Sequence, residues 1–235
     1  MPLNDQGFAL LDLPEIDDEI LASYEQLPHD PYMGNGTRYK RFSQYRLSWD
    51  GERWQFALLP HRDYTALKEF NPVGGGYKRS YQPIEVDFTK LIARGVEEFG
   101  LSTDEDWQIN VHQNRTIASH EKPGVLTPEG VHQDGHEYVM IAVLRRNAVT
   151  DGQTRLWKLG ADEPFWTGVL DPGTAVLIDD RAVAHDVTDV QPASDETGTR
   201  DIVIVAFSRW NERWYGDEHD KVALGESVGE NRSSM

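Results

Sequence analysis

Apolar side chains recur at helical spacing in two segments of the N-terminal half. In residues 14–28, a proline, an acidic first turn and apolar residues spaced three and four apart predict a helix. In residues 83–100, the apolar positions fall on one helical face and end at Gly100, so this pattern predicts a second helix lying against a sheet. Between them, residues 40–59 carry aromatic runs on both sides of Asp50-Gly51, a pair typical of a β-hairpin turn.

From residue 107 the pattern changes to short apolar runs separated by turn residues. Seven segments rich in β-branched and aromatic residues predict strands, which begin near residues 107, 137, 153, 164, 173, 182 and 200. Many strands with few helices predict a β-barrel or β-sandwich. We expect one domain over residues 1–235, with a helical and hairpin region in 1–106, a β core in about 107–210 and a polar, acidic tail in 211–235 that frays.

Composition narrows the possible chemistry and partners. The sequence contains no cysteine, which excludes disulfides, thiolate metal sites and cysteine nucleophiles and leaves His, Asp and Glu as metal ligands. The net charge of −17 argues against a nucleic-acid partner, because phosphate binding needs a basic face. No apolar run approaches the ~20 residues that cross a bilayer. The N-terminal stretch is acidic and has no export signal, so we expect a cytoplasmic protein without a membrane partner.

Two histidines and an aspartate stand close together in residues 127–147, TPEGVHQDGHEYVMIAVLRRN. His132 and His136 would form an H-x-x-x-H zinc site only on a helix, whereas the flanking glycines and the β-branched run that follows favour a strand. In a strand, residues i and i+2 point the same way, so His132 and Asp134 would converge. This pair would supply two ligands to a divalent metal; a polar loop that enters a strand is the alternative.

A third ligand must come from elsewhere in the chain, and His185 is the best donor because it follows the strand-like run 174–178. Two histidines and one carboxylate on one face of a metal match the site of non-haem Fe(II) oxygenases and leave positions open for cosubstrate and oxygen. An exposed loop histidine is the alternative for His185. Arg200 leads into an apolar strand, where an unpaired charge is costly and a planar fork suits a carboxylate. A solvated arginine at a strand end is the alternative.

The ordered set of H-x-D, a distal histidine and a following arginine resembles the Fe(II)/2-oxoglutarate dioxygenases of the double-stranded β-helix fold. More narrowly, TPEGVHQDGHEYV, RRN, DDRAVAHDVTDV and TRDIVIVAF are similar to the bacterial group that contains the L-isoleucine hydroxylases. The similarity covers about residues 107–210, and RYKRFSQYRL shows a weaker similarity. The resemblance implies a mainly β, jelly-roll (cupin-like) core with flanking N-terminal helices.

The resemblance also implies a role for individual residues. The implied iron ligands are His132, Asp134 and His185. Arg200 would hold the distal carboxylate of 2-oxoglutarate, and Arg115 is a weaker candidate for contact with cosubstrate or substrate. His136 has no place in the triad and is either a pocket-wall residue or a structural one. Because the carboxylate ligand is retained, the resemblance implies hydroxylation with O2 rather than halogenation.

The implied substrate is a small molecule, a free L-amino acid with an aliphatic side chain. Such a ligand needs a charge partner for its carboxylate, an acceptor for its ammonium and apolar walls. The candidates for these contacts are Arg38, Tyr39, Arg41 and Glu137. A solvated basic stripe on a hairpin would explain the N-terminal residues equally well. Two other functions stay open: a non-catalytic or sensing module that binds metal and 2-oxo acid, and a protein-directed hydroxylase with an exposed peptide groove.

Overall fold

Antiparallel strands make up most of this computed structural model, which describes residues 3–33 and 35–226. The strands are β1 Phe8–Asp12, β2 Arg38–Trp49, β3 Trp54–Leu58, β4 Trp107–Ala118, β5 Tyr138–Asn147, β6 Val149–Asp151, β7 Gln153–Lys158, β8 Trp166–Val169, β9 Thr174–Asp179, β10 Val183–Val187, β11 Val190–Pro192 and β12 Gly198–Arg209. The helices are α1 Asp18–Ser23, α2 Thr89–Phe99 and α3 Asp217–Ala223, with 3-10 turns at Tyr24–Gln26 and Trp210–Glu212.

The largest sheet has seven strands in the order β1-β9-β5-β12-β4-β2-β3, and a smaller sheet has the order β10-β7-β8. Because strand residues alternate between the two faces, the large sheet separates two cores. Met140 and Ala142 of β5 pack in the core that includes α1 and α2. Val139 and Ile141, also of β5, pack in the other core with Leu156 of the smaller sheet. The predicted mainly β, jelly-roll fold with flanking N-terminal helices is confirmed.

The predicted helices are present but shorter than the apolar pattern. The helix predicted for residues 83–100 begins at Thr89, whose backbone N–H donates to Asp87 Oδ1 over 2.8 Å. It ends as predicted at Gly100, which adopts the left-handed conformation with φ of 62°. The helix predicted for residues 14–28 forms only as α1 and the 3-10 turn that follows it. The hairpin is confirmed, with β2 and β3 joined at a turn that contains Gly51.

All seven predicted strands are present, whereas the pattern gave no indication of β1, β6 or β11. The expectation that the tail frays is wrong for residues 217–223, which form α3, and Trp214 before this helix is buried. Residues 227–235 of that predicted tail lie outside the described residues. None of the helices within residues 3–33 and 35–226 is long and apolar enough to cross a membrane.

The face of the large sheet that looks toward the smaller sheet carries a polar region on β2, β4 and β12. The register of these strands aligns side chains in rows. The first two rows are Arg38–Thr116–Arg200 and Lys40–Asn114–Ile202. Residues of the same strands on the opposite face pack toward the helices, so these rows define the side of the sheet on which ligand-binding groups lie.

Candidate active site

His132 and Asp134 lie in the loop before β5 and not in a regular strand. His132 forms a single antiparallel bridge with His185, with N–O distances of 3.0 and 2.8 Å, and residues 133–137 are irregular. The strand alternation predicted for this segment is therefore wrong. The two side chains converge nevertheless, with His132 Nε2 3.4 Å from Asp134 Oδ1.

The buried carboxylate of Asp180, directly after β9, holds this loop in shape. It accepts hydrogen bonds from the backbone N–H groups of Asp134, Gly135 and His136 over 3.0, 2.7 and 3.0 Å. Gly135 has a φ of 85°, and a Cβ at this position would lie 2.5 Å from the ring of Phe70. Gly135 and the acceptor Asp180 together stabilise an irregular loop where the sequence pattern predicted a strand. An acidic residue directly after an apolar strand is the signal that sequence reasoning missed.

His185 brings a third ligand from β10. Its Nε2 lies 3.7 Å from Asp134 Oδ2, and its ring centroid lies 4.6 Å from that of His132. One ligand atom from each of His132, Asp134 and His185 lies within 4.8 Å of the others. Two imidazoles and one carboxylate in this arrangement suit a divalent metal and leave coordination positions open for other ligands.

The pKa values of the three groups move in different directions. Burial opposes the charge on His132, but the hydrogen bond and charge of Asp134 outweigh it and raise the pKa of His132 to about 9. Burial lowers the pKa of His185 to about 4. Burial would raise the pKa of Asp134, but the hydrogen bond from His132 and the charge of His185 lower it below its usual range. Asp134 is therefore an anion paired with a protonated His132, beside a neutral His185, and a metal ion that binds these groups would displace the proton from His132.

The triad lines a cavity of about 420 Å³. This volume falls within the range of roughly 300–1,000 Å³ that is typical of small-molecule sites. The cationic residues of its wall are Arg38, Lys40, Arg79 and Arg200. Its apolar residues include Met33, Val73, Leu126, Ile141 and Ile204. The cavity thus combines a candidate metal site, several cations and an apolar wall.

Arg200 is a buried cation with incomplete hydrogen bonding. Its side chain is among the most buried in the structure, and its Nε and Nη2 have no hydrogen-bond partner within the described chain. Burial, and secondly the charge of Arg146, lower the pKa of Arg200 to about 9. An unpaired buried guanidinium is costly, so the observation fits a ligand that brings an anion to this position.

Comparison with known proteins identifies the family. Residues 21–206 match the family model described as 2OG-Fe dioxygenase. The chain belongs to the 2OG-Fe dioxygenase family. It is therefore a dioxygenase of the hydroxylase type, whose family uses Fe(II) and 2-oxoglutarate, and His132, Asp134 and His185 form its possible iron site. The predicted enzyme class and cofactors are confirmed.

Individual relatives support the same fold. The chain is 27% identical over 196 residues to an L-isoleucine-4-hydroxylase of Bacillus thuringiensis, a match that covers 79% of this chain and 80% of the relative. The crystal structure of a bsmA homolog from Methylobium petroleophilum superposes with a TM-score of 0.74 at 22% identity, covering 88% of this chain and 94% of that one. The crystal structure of IDO from Bacillus thuringiensis has a TM-score of 0.68 at 21% identity, covering 87% and 94%.

Arg115, the weaker cosubstrate candidate, does not line this cavity. Its Nε donates to Asp201 Oδ1 over 2.6 Å and its Nη1 to Glu25 Oε2 over 2.7 Å. Arg145 donates to the same two acids. Arg115 and Arg145 thus neutralise the fully buried Asp201 and stabilise the fold.

Strand alternation separates the candidates on β2. Arg38 lines the cavity, where its Nε donates to Asp30 Oδ2 over 2.7 Å. Tyr39 packs against the helical core, and Arg41 donates from Nη1 to the carbonyl of Pro83 over 2.9 Å, so neither reaches the cavity. Sequence reasoning missed Lys40, which lines the cavity with Arg38 because the two residues share one face of the strand.

Glu137 and His136 are both buried outside the cavity. Glu137 Oε2 accepts a hydrogen bond from Arg209 Nε over 2.8 Å, so its carboxylate is already paired. His136 Nδ1 lies 2.8 Å from Ser208 Oγ, and the His136 ring lies 4.3 Å from that of Trp214. Burial lowers the pKa of His136 to about 4. These contacts indicate a structural position for His136, one of the two roles expected from the sequence.

Proposed function

We propose that this enzyme hydroxylates an unactivated C–H bond of a free L-amino acid with an aliphatic side chain. The observation that carries the proposal is one cavity of about 420 Å³ that contains the His-Asp-His triad, the unpaired guanidinium of Arg200 and an apolar wall. The similarity to an L-isoleucine-4-hydroxylase supports the amino-acid class of substrate.

In this proposal His132, Asp134 and His185 ligate Fe(II), and Arg200 binds the distal carboxylate of 2-oxoglutarate. Bound Fe(II), with 2-oxoglutarate and O2, supplies the oxidative decarboxylation to succinate and CO2 that drives hydroxylation. The residues fit these groups, because the donor set suits iron and the Nε and Nη2 of Arg200, which have no partner among the described residues, can donate to an anion.

Contacts around the triad orient the proposed ligands. His132 Nδ1 lies 2.8 Å from the carbonyl of Gly130 and donates to it, which leaves Nε2 free to ligate a metal. Asp180 holds the backbone that carries Asp134, so the carboxylate is positioned before any ligand binds. Such preorganisation lowers the free-energy cost of assembling the metal site.

The apolar wall supports an aliphatic substrate side chain. Met33, Val73 and Leu126 come from three loops and line the cavity with Ile141 and Ile204 of the large sheet. Burial of an aliphatic side chain against such a wall is favourable by ~0.8 kcal/mol for each CH2 group. The cavity volume supports a small molecule rather than a protein segment, which needs an extended groove.

The test is an aerobic assay with Fe(II) and 2-oxoglutarate across free L-isoleucine, L-leucine, L-valine and L-methionine. We expect at least one to stimulate succinate formation and to gain one oxygen atom by mass spectrometry. Asp134→Ala should abolish both signals. Binding of iron and 2-oxoglutarate without amino-acid-stimulated succinate would contradict the proposed substrate. Anaerobic titration followed by oxygen would then separate a binding module from an enzyme with another substrate.

A further inference from the structure

Arg79 is a second cation of the cavity with unpaired hydrogen-bond donors. Arg79 is 4% exposed, and its Nε and Nη2 have no hydrogen-bond partner among the described residues. The other cavity arginine of the N-terminal half, Arg38, is already paired with Asp30. A buried guanidinium without a counter-charge lowers the stability of the fold, so its presence points to a ligand that brings an anion.

The guanidinium of Arg79 is held in place by its neighbours. The backbones of Arg79 and Tyr64 form an antiparallel bridge with two N–O distances of 2.9 Å. The Arg79 guanidinium carbon lies 4.7 Å from the centroid of the Tyr64 ring. A Cβ at Gly74 would lie 2.9 Å from Arg79 Nη1, so the glycine leaves room for the guanidinium. An ordered fork loses little conformational entropy when it binds a carboxylate.

Arg79 and Arg200 define two separate anion positions in the cavity. Arg200 lies in the row with Thr116 and Arg38. Arg79 lies over Tyr64, whose ring is 4.9 Å from that of His112 and 5.8 Å from Lys40 Nζ. The Tyr64 ring thus lies beside Lys40 of the second row and His112 of the next row, whereas Arg200 lies in the first row.

The charges of the cavity also leave Arg79 without a counter-ion. In the proposed function, Fe(II), Asp134, 2-oxoglutarate and Arg200 together carry no net charge. Asp30 neutralises Arg38. Of the other charged side chains on the wall, Glu129 lies beside the triad, 3.6 Å from His132 Nε2, and burial lowers the pKa of Lys40 well below its usual value. Arg79 therefore remains a cation without an acidic partner among the described residues, and a carboxylate of the second ligand would supply one.

We propose that Arg79 binds the α-carboxylate of the substrate, with Lys40 beside it. This inference rests on the proposed function and adds the residue that selects for a free carboxylate. The planar fork of the guanidinium matches a carboxylate in a bidentate pair, which a neutral amide cannot reproduce. The enzyme should therefore discriminate between an amino acid and its carboxamide.

The test compares Arg79→Gln and Arg79→Lys with Lys78→Gln, a control that removes an exposed positive charge from the adjacent residue. The substrate is whichever of the four L-amino acids best stimulates succinate formation by the unmodified enzyme. We expect Arg79→Gln to raise its KM roughly 30- to 1,000-fold, because a buried carboxylate loses its charged partner. Arg79→Lys should recover part of the loss, and Lys78→Gln should leave the KM unchanged. The KM for 2-oxoglutarate and the iron content should stay unchanged in all three variants.

Two further measurements separate binding from a structural role. The unmodified enzyme should use the carboxamide of the same amino acid poorly, and Arg79→Gln should lose this preference for the acid. Without ligands, Arg79→Gln should melt no lower than the unmodified protein, because it removes an unpaired buried charge. A lower melting temperature with an unchanged KM would indicate a structural role and overturn the proposal.

Equal use of the amino acid and its carboxamide by the unmodified enzyme would also overturn the proposal that Arg79 binds the α-carboxylate. This comparison needs no variant, so it applies even if both Arg79 variants fail to fold. If none of the four amino acids stimulates the unmodified enzyme while iron and 2-oxoglutarate bind, the proposed amino-acid substrate and the Arg79 assignment are overturned together. Normal stimulation of the unmodified enzyme with an unchanged KM in Arg79→Gln overturns the Arg79 assignment alone.

Discussion

Replacing Arg200 by glutamine should weaken the binding of 2-oxoglutarate while leaving the iron site intact. Arg200 is 2% exposed, and two of its nitrogen atoms have no partner in the described chain. Burial and Arg146 lower its pKa from 12.5 to about 9, which corresponds to a penalty on the order of 5 kcal/mol on the charged form. A bound carboxylate can offset at most about this much of the cost of keeping Arg200 charged. A charge-assisted bidentate contact contributes roughly 2–4 kcal/mol, or about 30- to 1,000-fold in affinity.

The assay is equilibrium binding of 2-oxoglutarate under anaerobic conditions, together with the KM for 2-oxoglutarate in the succinate assay. Arg200→Lys should recover only part of the affinity, because a point charge does not reproduce the fork. Arg46→Gln is a matched control, since Arg46 is on the same sheet but is already paired with Asp106. Saturating 2-oxoglutarate should raise the melting temperature of the unmodified protein more than that of Arg200→Gln. Unchanged 2-oxoglutarate binding in Arg200→Gln, with iron content preserved, would show that Arg200 does not bind the distal carboxylate.

Three other predictions follow from the surroundings of the triad. Asp134→Ala should abolish iron binding and hydroxylation, whereas His136→Ala should retain measurable iron by metal analysis; equal loss in two folded variants would mean that the triad is misassigned. Asp180→Asn should weaken iron binding about 10- to 100-fold, because it perturbs the acceptor that orients the loop, and unchanged iron affinity would contradict this role. Because burial lowers the pKa of His136 from 6.5 to about 4, the unfolded chain takes up this proton first as the pH falls. Protonation of His136 therefore leaves the free energy of unfolding unchanged above pH 6.5. Between pH 6.5 and pH 4 it lowers the free energy of unfolding by up to ~1.4 kcal/mol per pH unit. His136→Gln should reduce this slope in urea unfolding between pH 7 and pH 4.5, and an unchanged slope would contradict the assignment.

The strands of the core could be predicted because apolar runs of the right length are separated by turn residues. β5 and β12 are buried on both faces, so their sequences are nearly continuous in apolar residues. The short β6 and β11 form a separate two-stranded sheet, and Val190 of β11 also bridges Gly124. Neither strand carries such a run, so their formation depends on the rest of the fold. The helix α3 in the tail could not be predicted from local pattern, because the hydrogen bonds from Arg62 to Asp217 and Asp220 that stabilise it join residues far apart in the chain.

The candidate metal ligands were predictable, but the backbone that presents them was not. The ordered motif identified His132, Asp134 and His185, and the structure brings these three together. Their convergence depends on Asp180, whose hydrogen bonds to the loop join residues more than forty positions apart. Periodicity describes only local geometry and therefore gives no indication of such a contact.

The cationic wall shows a second limit of sequence reasoning. Alternation on β2 places Arg38 and Lys40 on one face and Tyr39 and Arg41 on the other. The pattern alone does not tell which face meets the cavity, because both contain charged and polar residues. Arg79 lies in an irregular segment, and its place in the cavity depends on a bridge to Tyr64 that no local pattern predicts.

The stoichiometry of the reaction with iron-loaded enzyme, 2-oxoglutarate, O2 and the best of the four L-amino acids tests directly whether the protein is an amino-acid hydroxylase. We expect succinate and the hydroxylated amino acid to accumulate in equal amounts, and neither to accumulate with Asp134→Ala. Succinate formation that no amino acid stimulates, in a protein that retains bound iron and 2-oxoglutarate, would contradict this function.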